Sequence, residues 1–183
     1  GRINADIELY HKKTTNMLML VPQSYVNNGF GTRWDNVGAM VNQGFEVSLG
    51  ADVVSTKNLV WNVNANASYN YNEITELYNG LDEYEMSGTS TKLKVGHPVG
   101  EFYINRYAGV NPANGDALWY DKDGNVTNEL RDEDKVLLGK TYIAPWQGGF
   151  GTSLSWRGLS LTAQFSWVAD RWMLNNDRYF HES

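Results

Sequence analysis

The chain of 183 residues has no cysteine, four prolines and three histidines. Without cysteine, neither a disulfide framework nor a thiolate metal site can form. His11, His97 and His181 lie far apart and lack a carboxylate at ligand spacing, so no histidine metal centre is expected. Basic residues are outnumbered, 15 Lys and Arg against 21 Asp and Glu, and no basic stripe offsets the net charge of -6. That balance argues against a nucleic-acid partner. Long apolar runs are missing too, with nothing near the ~18 consecutive residues of a membrane helix. A mean hydropathy of -0.48 looks like that of a soluble protein. A membrane wall built of strands gives the same average, because half of each strand faces a polar interior. No Gly-x-Ser-x-Gly elbow, phosphate loop or zinc-protease helix occurs. Glu83 and Glu85 flank Tyr84, but in so acidic a stretch solvation explains them better than paired acid and base. The chain is not expected to be an enzyme.

What is present is alternation. In 60–72, Trp61, Val63, Ala65, Ala67, Tyr69 and Tyr71 share one parity. Asn62, Asn64, Asn66, Ser68, Asn70 and Asn72 share the other. Strand side chains alternate with period two, so one face is apolar and the other is a row of amides. Four further segments repeat the pattern, near 2–11, 43–53, 148–157 and 159–168. In them Ile3 to Leu9, Phe45 to Val53, Phe150 to Trp156 and Leu159 to Trp167 supply the apolar parity. Each is about the length of a tilted membrane-crossing strand, roughly 9–11 residues. The predicted fold class is all-β: a segment of an antiparallel transmembrane β-barrel with long extracellular loops.

Connection lengths and aromatics orient this wall. Ser55 to Asn58 and Arg157-Gly158 are short turns, whereas 12–38 and 73–147 are long and polar. Outer-membrane barrels have short periplasmic turns and long extracellular loops, so the short turns are expected on the periplasmic side. Trp61 and Trp156 then fall at the periplasmic interface, with Phe45, Tyr69, Tyr71, Phe150 and Trp167 at the opposite one. Parity of crossings puts 73–147 outside the membrane as an extracellular excursion. Asn62, Asn64, Asn66, Ser68 and Asn70 are the expected lumen lining. The chain opens directly in an alternating pattern and reads as a fragment of a longer polypeptide.

The loops hold the remaining candidates. Asp121-Lys122-Asp123-Gly124-Asn125 has carboxylates at alternate positions, as in a calcium loop. Its glycine comes two residues early for that loop, so Asp121 and Asp123 read first as a solvated Asp-Gly turn. Calcium is the one cofactor to consider, and none is expected. Trp34, Tyr84, Trp119 and Tyr120 are loop aromatics able to stack on a substrate or to pin their own loops.

Several stretches resemble one family. Asn36 to Val47 is similar to the "N-x-G-x-x-x-N-x-G-x-E" signature of SusC/RagA-type TonB-dependent transporters of Bacteroidetes. Trp61 to Ile74 resembles the strand that follows it. Gly96 to Tyr103 and Tyr107 to Asp116 resemble the family's "G-x-P-x-G-x-F-Y" and "G-[VI]-D-P-x-x-G-D" stretches, with Asn111 where Asp is usual. Gly139 to Phe150 resembles the start of a later strand, with Ala144-Pro145-Trp146 departing from the usual Asn-Pro run. The resemblance implies the late barrel of a 22-stranded, plugged outer-membrane importer of oligosaccharides or peptides. It also implies a SusD-like lipoprotein partner and energy delivered through TonB to a plug region outside this sequence. Two other readings remain open: a soluble β-sandwich carbohydrate-binding module, and a passive porin.

Overall fold

A computed structural model describes residues 2–22, 32–36, 38–86 and 89–175. Its strands are, in chain order, β1 (Ile3–Thr15), β2 (Leu18–Pro22), β3 (Thr32–Asn36), β4 (Ala39–Ser55), β5 (Leu59–Glu76), β6 (Glu83–Glu85), β7 (Lys92–Lys94), β8 (Glu101–Ile104), β9 (Arg106–Val110), β10 (Ala117–Tyr120), β11 (Val126–Thr127), β12 (Val136–Thr141), β13 (Trp146–Trp156) and β14 (Leu159–Ala169). Two single-turn 3-10 helices, Tyr78–Gly80 and Asp132–Asp134, are the only helical elements among the described residues.

The five alternating segments form one antiparallel sheet in the order β1-β4-β5-β13-β14. Among the described residues, no strand between β5 and β13 joins that sheet. The excursion instead folds into small sheets that pair β6 with β7, β8 with β12, and β10 with both β9 and β11. The stretch from Phe102 to Val110 is therefore two short strands, β8 and β9, and not a crossing of the sheet.

Turn chemistry fixes the register at one end. Arg157 and Gly158 both adopt positive φ, 47° and 89°. A two-residue loop with both centres left-handed matches the twist of the strands it joins. Between β4 and β5, Thr56 Oγ1 accepts from Leu59 N at 3.0 Å, while Thr56 N donates to Leu59 O at 2.8 Å. A β-bulge at Asp52 to Val54 makes Val54, not Val53, the partner of Trp61. The apolar face thus passes through Val54, one residue later than simple alternation predicts.

Four of the sheet strands are longer than their apolar signal. β1 continues to Thr15, β4 begins at Ala39, β5 runs to Glu76 and β13 begins at Trp146. The buried core does not lie along the sheet's alternating rows but at the upper end of β5. It is a small cluster of Ile74, Leu77 and Leu93, with Tyr84, Val95 and Val99 packed against it, where the excursion leaves β5.

Candidate functional site

Register converts the five alternations into two continuous faces. Across the strands, Leu9, Phe45, Tyr69, Trp146 and Ala169 form one row. Below it lie Ile7, Val47, Ala67, Gly148 and Trp167, then Ala5, Leu49, Ala65, Phe150 and Phe165. The rows of Val63 and Trp61 follow, and Leu59 with Trp156 closes the face at the short-turn end. Phe45, Tyr69 and Trp146 cluster at the top, with Tyr69 and Trp146 centroids 4.6 Å apart. This face is bare: Ile7 is 69%, Leu9 78% and Leu161 63% exposed. Thr152, its polar exception, accepts from Trp61 Nε1 at 2.8 Å and donates to the Asn62 carbonyl at 3.3 Å. With the Thr152 hydroxyl satisfied inside the sheet, the apolar rows are chemically fit to lie against hydrocarbon.

One aromatic stands elsewhere than alternation predicts. Phe150 pairs with Ala65 and Phe165, midway between the Trp61 and Tyr69 rows, and stacks on Phe165 at 4.7 Å. It is a mid-band residue and not a rim aromatic. Trp146, four residues earlier on β13, holds the rim position beside Tyr69. Trp167 lies one row below that rim, opposite Gly148.

The opposite face is mainly polar, with Val60, Val168 and Ile74 among its few apolar members. Asn4, Gly50, Asn64, Gly151 and Gln164 share a row, as do Asp6, Ser48, Asn66, Gly149 and Ser166. Asn62 Nδ2 donates to Asp52 Oδ1 across the β4–β5 pair. Higher up the amides link into a chain. Tyr10 OH donates to Asn70 Oδ1 at 2.8 Å, and Asn70 and Asn72 both donate to Asn42 Oδ1, at 3.2 and 2.9 Å. Asn72 Oδ1 in turn accepts from Val99 N at 2.8 Å, which carries the network off the sheet.

That last bond belongs to a clasp. Ile74 N donates to the His97 carbonyl at 2.9 Å and Gly96 N to the Ile74 carbonyl at 2.8 Å. Glu101 is 1% exposed, and its carboxylate accepts from His97 Nδ1 at 2.8 Å and from Gly139 N at 2.6 Å. Gly139 sits in the irregular stretch of β12 between Leu137 and Thr141, so the carboxylate caps a bulge that strand pairing leaves open. Ile74 and Asn72 have the parity of the amide row, so this clasp lies on the polar face. Sequence reading missed Glu101, since its second partner, the Gly139 amide, arrives from a strand 38 residues away. Asn42 was recoverable by folding β4 onto β5 through the turn at Thr56.

The loop candidates do not converge. Trp34 lies outside the described side chains. Tyr84 packs on the Ile74–Leu77–Leu93 core, so it pins its own loop. Trp119 meets Tyr107 edge to face at 5.6 Å, and Tyr120 lies under the Arg106 guanidinium at 5.4 Å. Asp121 Oδ1 accepts from Asp123 N and Asn125 N at 2.9 and 2.8 Å, and Oδ2 from Asn125 Nδ2 at 3.1 Å. Those donors, the Asn125 side chain first, hold the Asp121 carboxyl below its ordinary range. Asp121 thereby closes a turn with donors on both oxygens. Among the described residues no group of three or more His, Cys, Asp or Glu side chains converges.

A sheet of long antiparallel strands, apolar on one side and amide-lined on the other, is the geometry of a barrel wall. The family model described as TonB dependent receptor-like, beta-barrel, matches residues 1–182. The chain belongs to this family. TonB-dependent receptor SusC of Bacteroides thetaiotaomicron is 32% identical over 162 residues, covering 77% of this chain and 16% of that protein. TonB-dependent receptor P26 of Formosa agariphila is 27% identical, covering 90% of this chain and 18% of its own length. The solved RagAB peptide transporter superposes with a TM-score of 0.91 at 37% identity, over 100% of this chain and 21% of that one. The chain thus spans about a fifth of the solved transporter chain and less than a fifth of the two receptors. The SusC/RagA resemblance read from the motifs agrees with these matches, and the open five-stranded sheet is part of a TonB-dependent receptor barrel.

Proposed function

We propose that this chain forms part of the outer-membrane wall of a TonB-dependent importer, with its apolar face in lipid and its amide face toward the lumen. One observation carries the reading: protein packs on the polar face at Asn72 and Ile74, while the apolar face stays bare between two aromatic-bearing ends. The ten residue steps from Leu59 to Tyr69 span about 33 Å along the strand, or about 25 Å at a tilt near 40°, the height of an outer-membrane apolar band. On this reading Trp61 and Trp156 mark the periplasmic interface, and Tyr69, Tyr71 and Trp146 the extracellular one. Asn62, Asn64, Asn66, Ser68 and Asn70 line a wet interior around the plug. A β-sandwich would need a second sheet over the bare face, which is why the membrane reading is preferred. The likeness to a peptide transporter and to SusC supports nutrient import with a SusD-like lipoprotein and TonB as partners.

Substituting arginine on either side of one residue step tests this in the full-length protein. Ala65→Arg lies near mid-band, where a lipid-facing arginine costs about 2–4 kcal/mol, whereas Asn66→Arg faces water. Outer-membrane assembly should fail for the first and survive for the second. Equal tolerance of both contradicts the reading.

A further inference from the structure

The parity that makes β1 apolar does not end at the aromatic row. Beyond Leu9 it continues to His11 and Lys13, on the face that carries Ile3, Ala5 and Ile7 lower down. Register places His11 beside Gln43 and Tyr71, one row above Phe45 and Tyr69. An open notch of about 610 Å³ lies there, with Gln43, Phe45, Tyr69 and Tyr71 on its lining. His11 Nδ1 is 3.0 Å from Gln43 Oε1, which leaves the Gln43 amide hydrogens without a partner among the described residues. Lys13, one row higher, has no ion pair among the described residues. The nearest carboxylate in its row, Glu73 two strands away, already accepts from Tyr71 OH at 2.9 Å. Lys140, another basic group near this rim, is held by Asp170 at 3.9 Å.

We infer that Lys13, with the Gln43 amide and His11, binds the phosphate of a lipid headgroup whose acyl chains lie over the Phe45–Tyr69 row. The inference rests on the outward assignment of the apolar face. Its logic is positional: a free cation and free amide donors stand immediately above an aromatic row that ends an apolar band. That is the depth at which bilayer phosphates lie. A basic residue at this depth strengthens binding to an anionic lipid by about fivefold. Lys12 supplies the internal control, because it is the adjacent residue with the same charge on the opposite face.

The experiment uses the full-length protein in detergent micelles, with native mass spectrometry to count retained lipid. The probes are bis-phosphorylated lipid A, the same lipid with its phosphates removed, and inorganic phosphate as competitor. Wild type should retain the phosphorylated lipid about fivefold better than the dephosphorylated one. Lys13→Gln should lose most of that preference, and Lys12→Gln should keep it. Equal effects of the two substitutions, no preference in wild type, or displacement by inorganic phosphate alone overturns the proposal. Tryptophan quenching by brominated acyl chains, run on the same protein in lipid, separates the two levels. Quenching without phosphate preference removes the headgroup site and leaves the wall in lipid, whereas absence of quenching removes both.

Discussion

Glu101→Ala should unfasten the excursion from the sheet without unfolding the sheet. The carboxylate is 1% exposed and makes two charge-assisted bonds, to His97 Nδ1 and Gly139 N. Bonds to a charged group contribute about 1.5–3 kcal/mol each. Gly139 and part of His97 face solvent and regain water when the acceptor goes, so the net loss is about 3 kcal/mol, roughly a hundredfold in local opening. Glu101→Gln keeps an acceptor for Gly139 and gives up only charge assistance, which is about tenfold. Hydrogen exchange on the full-length protein reads this directly. Peptides covering 93–104 and 134–142 should exchange faster in the order Ala, then Gln, then wild type. Peptides from 60–67 in β5 should not change. Equal loss across β5, or no change in the two excursion peptides, refutes the clasp.

Three further outcomes follow from named contacts. Gly44→Ala should destabilise the barrel by about 1–3 kcal/mol or more in thermal unfolding, because the added Cβ falls 1.9 Å from the Tyr69 carbonyl oxygen. Gly151→Ala meets only the end of the Gln164 side chain, which can swing aside, and should be milder. Across β6 and β7, the bond from Lys92 draws the Glu83 carboxyl below 4.5; on Lys92, burial opposes its charge but the Glu83 bond and nearby negative charge outweigh it and raise it above 10.5. The Glu83 contribution is complete above 4.5 and lost as pH falls through its lowered folded value; the Lys92 contribution is complete below 10.5 and lost as pH rises through its raised folded value. Glu83 is half exposed, so the pair is worth only about 0.5 kcal/mol, and exchange of 82–95 should accelerate only outside that pH window. A Phe150/Phe165 double-mutant cycle to Leu should show about 0.5–1.5 kcal/mol of coupling, whereas a value near zero would contradict the stack.

The five strands were legible because each keeps strict period two wherever one side is apolar. Their ends were not, because the signal fades where outward residues turn polar while the backbone ladder runs on. Gln43 and Glu73 have the apolar parity of their strands yet lie above the last apolar row, so alternation stops short of Ala39 and Glu76. The same effect misplaced the upper rim on β13: starting the strand two residues late promoted Phe150 to a position that Trp146 occupies. The bulge at Asp52 to Val54 shifted Val53 for a different reason, since one inserted residue reverses parity without changing composition. The excursion was opaque because its strands are two to six residues long and pair across distance, β8 with β12. Its clasp joins His97 and Glu101, four residues apart, to a Gly139 amide that no local pattern connects to them. Loop aromatics are recognisable in the sequence, but whether each packs inward, as Tyr84 does, depends on tertiary contacts alone.

The decisive question is which face of β5 meets lipid. The chain has no cysteine, so spin labels can be introduced one at a time from 62 to 70 in the full-length protein, after removal of any cysteine elsewhere. Oxygen, which concentrates in the bilayer, should relax labels at 63, 65, 67 and 69. A water-soluble nickel chelate should relax those at 62, 64, 66 and 68, with period two throughout. The opposite phase, or equal exposure of both parities to water, would contradict the account.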